Sequence, residues 1–141
     1  MSYDLSRFHA AQARDYDTAL SEIRAGRKRS HWIWYIFPQI RGLGYSSTAQ
    51  YYALEDLGEA KAYLADPVLR QRLLEISGAL LALDSSDPSA VMGYPDDLKL
   101  RSSMTLFALA EPDCPVFPAV LRKFYRGEPD ERTLALAGVT L

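Results

Sequence analysis

Apolar side chains return every three or four residues along most of this chain, the spacing that puts them on one face of an α-helix. Phe8, Gln12, Tyr16, Ala19, Leu20 and Ile23 form the first such stripe, and Gly26 follows its last member as a helix-ending glycine does. Asp15 or Asp17 offers a second cap within it, so the stripe reads either as one helix or as two short helices at an angle. Gln12 is its odd polar member. An amide facing a core needs partners, which predicts a buried glutamine tying two helices together through backbone groups.

Ser46, Ser47 and Thr48 supply caps for a segment through Tyr51, Tyr52 and Leu54, and Leu57, Ala60 and Leu64 make a second short stripe. Asp66 followed by Pro67 is a helix start, with aspartate as cap and proline at the first helical position. Leu69, Leu73, Ile76, Leu80 and Leu83 then hold one face, widened by Leu74 and Leu81, and predict the central core helix. Asp84 to Pro88 reads as a polar loop that ends it. Pro95 at a first helical position, with Asp96 and Asp97 at the positive end of the dipole, opens the next helix. Phe117, Val120, Leu121 and Phe124 mark another, ended by Gly127, and Pro129, Asp130 and Glu131 start a last one through Leu134 and Leu136. With no hairpin signal, the pattern predicts an all-α fold: a compact single-domain bundle of about seven short to medium helices over residues 1–141.

One stretch departs from this periodicity. Arg27, Lys28 and Arg29 run into Ser30 and then seven residues, 31–37, that hold four aromatics, and the segment closes with Pro38, Gln39, Gly42, Leu43 and Gly44. Trp32 to Phe37 are β-branched or aromatic and favour a strand individually, but the chain offers no partner strand to pair with them. A short, largely buried helix ended by Pro38 is the expectation. Gly42, Leu43 and Gly44 then form a tight loop, without the spacing or preceding strand of a dinucleotide fingerprint.

Composition narrows the function classes. The chain of 141 residues is 48% hydrophobic and 24% charged, a core-forming composition. Its net charge of -2 disfavours nucleic acid and anionic lipid, so any such attraction is confined to the cluster from Arg24 to Arg29. The single cysteine, Cys114, forms no internal disulfide and, with no leader pattern at the start and no membrane-spanning run, suggests a cytoplasmic location. Two histidines, His9 and His31, with one cysteine give no metal-ligand spacing, and no nucleophile elbow is present; no metal and no cofactor are expected.

The run from Ala25 to Gln39, followed by Gly42, Leu43 and Gly44, resembles the signature of a widespread bacterial and fungal family of unknown function whose members are often labelled calpastatin. The similarity covers nearly the whole chain, including Phe8, Gln12, Tyr16, Tyr63, Leu64, Pro67, the run from Pro95 to Leu100, and the run from Ser102 to Phe107. The resemblance implies a compact, mostly helical single domain and carries no activity with it. The calpastatin label does not suit this chain, because that inhibitor is disordered and repetitive.

The polar positions matched to that signature, Lys28, Ser30, His31, Gln39, Ser46, Asp97, Lys99, Ser102 and Ser103, fall in two segments far apart in sequence. They are expected to meet, residues 28–44 packing on the helix that carries residues 97–105 so that the two line one polar pocket. In it Lys28 or Lys99 would hold an anionic group, Trp32 or Trp34 would stack on a flat ring, and His31 or Asp97 would move a proton as the catalytic group. Ser30, Gln39, Ser46, Ser102 and Ser103 complete the expected ligand contacts. The ligand class that suits a cation beside an aromatic is a nucleotide-like or ADP-ribose-like anion, with glycosidic hydrolysis as the reaction. Each residue also has a structural alternative. His31 can cap the aromatic helix, the three cations can be a solvated surface, both tryptophans can be core, and the hydroxyls can bond back to the preceding turn. The competing function is a non-enzymatic protein-interaction module that docks an acidic partner on Arg27, Lys28 and Arg29; the protein partner itself is not specified by the sequence.

Overall fold

Side-chain caps at Ser46, Asp56, Asp66, Asp87 and Asp130 start five of the helices among the described residues. The computed structural model describes residues 3–139; Met1, Ser2, Thr140 and Leu141, the ends of the expected domain, lie outside the described residues. Among the described residues there are nine helices: α1 (Ser6–Arg24), α2 (Ile33–Ile36), α3 (Ser47–Tyr52), α4 (Leu57–Ala65), α5 (Pro67–Leu81), α6 (Pro88–Met92), α7 (Asp96–Ala110), α8 (Val116–Tyr125) and α9 (Glu131–Leu136). The architecture is all-helical, with two helices more than the pattern predicted. One is α6. Asp87 and Pro88 repeat the aspartate-proline start of α5, with the Asp87 carboxylate accepting from Ser89 N and Ala90 N, so the stretch expected to be loop already carried the signal.

The first stripe is one continuous helix, without the break at Asp15 or Asp17. It ends in a Schellman arrangement: Gly26 adopts φ +86°, Gly26 N donates to Ile23 O at 2.8 Å and Arg27 N to Glu22 O at 3.1 Å. Gln12 is buried as its place in the stripe predicts, donating from Nε2 to Tyr35 O and to Tyr63 Oη, each at 2.8 Å. The aromatic stretch folds as expected into the short buried α2, with Trp32 and Phe37 flanking it. No strand forms among the described residues; a single parallel bridge joins Ile40 to Leu54 and holds the glycine loop against the start of α4.

The centre of the fold is α7, not α5. Helix α7 packs against α2, α4, α6, α8 and α9, whereas α5 meets α1, α4 and α8. The leucine stripe of α5 marks a helix buried along one face, while a helix surrounded on several sides has no polar face to make a stripe visible. In α7 Leu100, Ser102, Ser103, Met104, Thr105, Leu106 and Phe107 are all buried.

Candidate functional site

The expected meeting of the two segments takes place, but it has an interior part and an open part. The interior part begins at Glu22, on the last turn of α1. Its Oε1 accepts from Arg29 N at 2.7 Å, Ser30 N at 2.9 Å and Trp32 Nε1 at 2.9 Å, and its Oε2 accepts from Ser30 Oγ at 2.6 Å. Burial by itself would raise this carboxyl, but Ser30 Oγ, the backbone amides and the indole outweigh it and hold Glu22 at about 2. Glu22 was not among the expected site residues, because a glutamate on a helix surface leaves no mark of what folds back onto it.

Anchored this way, the chain turns Lys28 inward. Its ammonium pairs with Asp96 Oδ2 at 2.7 Å, donates to Ser30 O and lies 4.9 Å from the Trp32 ring centroid. Lys28 thus fastens the α1–α2 connection to the start of α7, while Ser30 and Trp32 hold it to α1 through Glu22, and Trp32 is 1% exposed. Asp97 is buried beside them, with Oδ2 accepting from Ser89 Oγ at 2.9 Å and its backbone carbonyl accepting from the Tyr125 hydroxyl at 2.5 Å. Burial, then the nearby Asp97 carboxylate, pushes the Tyr125 hydroxyl well above its ordinary value, so it remains a donor. Ser103 is fully buried, and its Oγ has no hydrogen-bond partner among the described residues. His31 is exposed; its backbone carbonyl accepts from the Tyr35 hydroxyl at 3.2 Å.

The open part is a cleft of about 530 Å³ between residues 34–53 on one side and α7 with the start of α9 on the other. Of the residues expected in a pocket, Trp34, Gln39, Ser46, Lys99 and Ser102 line it, while Lys28, Ser30, His31, Trp32, Asp97 and Ser103 do not. The two tryptophans part because positions two apart on a helix point to different sides. Trp32 goes to the core and Trp34 to the cleft, where Lys99 Nζ sits 5.3 Å from its ring centroid. Asp96 links the two parts, since the carboxylate that binds Lys28 also lies 3.5 Å from Lys99.

Residues not anticipated complete the lining. Arg41, Arg101 and Arg132 add three cations to Lys99, and Tyr45 and Tyr52 add aromatic surface. Arg101 is held by the carbonyls of Glu128 and Pro129, at 2.9 and 3.0 Å, and Arg132 reaches Gly42 O at 3.4 Å. Ser46 caps α3 by accepting from Ala49 N at 3.1 Å. Gly42 adopts φ +108°, a conformation that brings the loop under Leu136 and shapes the wall. Asp130 is the sole carboxylate on the lining among the described residues. None of these residues stands out in sequence: α9, which carries Arg132, is short, and single arginines on a loop or helix, as Arg41 and Arg101 are, resemble solvated surface.

Fold and site together define an all-helical protein with an aromatic and cationic cleft beside its central helix. The chain belongs to the family described as "Protein of unknown function (DUF1810)", whose model matches residues 2–137. It is similar over its whole length to the conserved hypothetical protein Rv1873 from Mycobacterium tuberculosis, known from a crystal structure. The two are 48% identical, the match covers 98% of this chain and 99% of that one, and the TM-score is 0.94. No curated protein matches the chain. Neither description assigns an activity.

Proposed function

We propose that the protein binds an anionic small molecule carrying a flat ring, a nucleotide-like or ADP-ribose-like ligand, in the cleft between residues 34–53 and α7. The observation that carries this reading is Trp34 with Lys99 over its ring at 5.3 Å, in a cleft also lined by Arg41, Arg101 and Arg132. A ring stacks on the indole while phosphates meet the cations, and the volume is that of a pocket for a molecule of this size. Trp34, Gln39, Ser46, Lys99 and Ser102 are the ligand contacts in this reading. His31 and Asp97, away from the lining, take no part in it, so binding is proposed ahead of hydrolysis. Among the described residues one buried cluster runs from Phe8 to Phe124, which supports treating residues 1–141 as one domain.

An interaction module remains the second reading because Arg27 and Arg29 are exposed, although Lys28 is not available to it. Thermal shift with ADP-ribose separates the two. The wild-type protein is expected to melt higher, by the equivalent of about 2.7 kcal/mol at a ligand concentration near 100 times Kd. Lys99→Met is expected to lose the shift, and the double variant Arg27→Ser, Arg29→Ser to keep it. No shift in the wild type at millimolar ADP-ribose, or an unchanged shift in Lys99→Met, would overturn the reading.

A further inference from the structure

Among the described residues the cleft is lined by four cations, of which Arg41, Lys99 and Arg101 pair with Glu55, Asp96 and Glu128 outside the lining, and by one carboxylate, which is held rigidly. Asp130 caps α9: its Oδ2 accepts from Thr133 N at 3.1 Å, Thr133 Oγ1 at 2.5 Å and Ser102 Oγ at 3.0 Å, while its backbone N donates to Thr105 Oγ1 at 2.9 Å. Asp130 lines the cleft and Oδ1 is left outside the capping bonds; a carboxylate oxygen accepts hydrogen bonds and repels phosphate. It therefore selects a ligand group that is neutral and donates, and the hydroxyls of a sugar have that chemistry. Ser102 stands three residues after Lys99 on α7, about 4.5 Å further along the axis, so the acceptor lies one turn from the cation that faces Trp34.

We infer that Asp130 is the hydroxyl acceptor of the cleft, binding the sugar of a phosphorylated ligand through Oδ1 while the cations bind its phosphates. The inference rests on the proposed binding of a nucleotide-like anion in the same cleft and adds the polarity with which the ligand lies there. It makes the site selective for a sugar-bearing ligand over a bare phosphate of equal charge. A cationic cleft without Asp130 would prefer whichever ligand had the higher charge.

Asp130→Asn tests it, because asparagine also caps a helix and keeps the size of the side chain while removing the charge. Isothermal titration is run with ADP-ribose and with inorganic pyrophosphate on the wild-type protein and this variant. The expected result is opposite in sign for the two probes. ADP-ribose binds about tenfold more weakly or worse to Asp130→Asn, for the loss of a charge-assisted hydrogen bond, whereas pyrophosphate binds as well or better. Damage to the fold would weaken both. Wild-type binding of ADP-ribose that is unchanged in Asp130→Asn, or weakened no more than that of pyrophosphate, overturns the role of Asp130 and leaves the cleft reading intact. Absence of ADP-ribose binding to the wild type removes both.

Discussion

The four donors gathered by the Glu22 carboxylate tie the residues after α1 to that helix, and Trp32 is set in the core partly by its indole N–H bond to Glu22. A glutamate held at about 2, against an ordinary value of 4.5, stabilises the folded state through its charged form. That contribution is complete above the ordinary value and is lost as pH falls from there toward 2. Glu22→Gln is expected to cost roughly 2 kcal/mol at neutral pH in urea unfolding, and the gap from wild type should narrow as the pH is lowered through the acid range. A gap that stays constant with pH would mean that the carboxylate charge is not what holds the loop. At this scale the sequence identified Gln12 by the contradiction of an amide in an apolar stripe, and it identified Lys28 and Trp32 as unusual neighbours. It did not identify Glu22, since the partners of a surface glutamate are set by how the following chain turns.

Among the elements, capped helices were legible in the sequence, and the central place of α7 was not. Asp66 with Pro67 starts α5 as expected, its Oδ1 accepting from Val68 N and Leu69 N, and Asp130 starts α9. Helix α6 carries the same signal at Asp87 and Pro88, but five residues are too few to show a periodic face. Helix α7 was read but not ranked, since its buried hydroxyls hide how completely it is enclosed. Thr105 bonds back to Arg101 O at 2.8 Å, as helix-embedded hydroxyls do, while the one proton of Ser102 Oγ is shared between Leu98 O at 3.1 Å and Asp130 Oδ2 at 3.0 Å. Ser103 is different, being enclosed with nothing to bond. Removing its oxygen is therefore expected to be nearly free: Ser103→Ala should lie within about 0.5 kcal/mol of wild type or above it, while Ser103→Leu should cost roughly 1–3 kcal/mol by overpacking the helix contacts. Equal losses from both, in chemical denaturation, would show that the hydroxyl has a role that its surroundings do not reveal.

At the scale of the molecule, Asp96 joins the interior to the cleft, with Lys28 and Trp32 on one side and Lys99 and Trp34 on the other. Two tryptophans two residues apart thereby acquire separate duties. Trp32→Ala is expected to cost roughly 3–5 kcal/mol of stability, as for a large buried aromatic. Trp34→Ala, at a half-buried position, should cost less and should instead abolish the thermal shift with ADP-ribose. The reverse outcome, with Trp32→Ala folded and Trp34→Ala unfolded, would show that the two rings have been assigned to the wrong sides. Among the described residues no helix is long and apolar enough to cross a membrane, in keeping with the sequence.

Spacing and capping act through residues close in the chain, so the sequence by itself determined that this protein is helical, where most of its helices begin and end, and which two segments concentrate unusual side chains. The tertiary structure alone decided which of those side chains share a cavity. Lys28, Trp32 and Asp97 went inward and Lys99, Trp34 and Ser102 went to the cleft because the direction of a side chain is fixed by the packing of elements distant in sequence. For the same reason the remaining cations and Asp130 joined the site only when α7 and α9 were brought against the loop after α2.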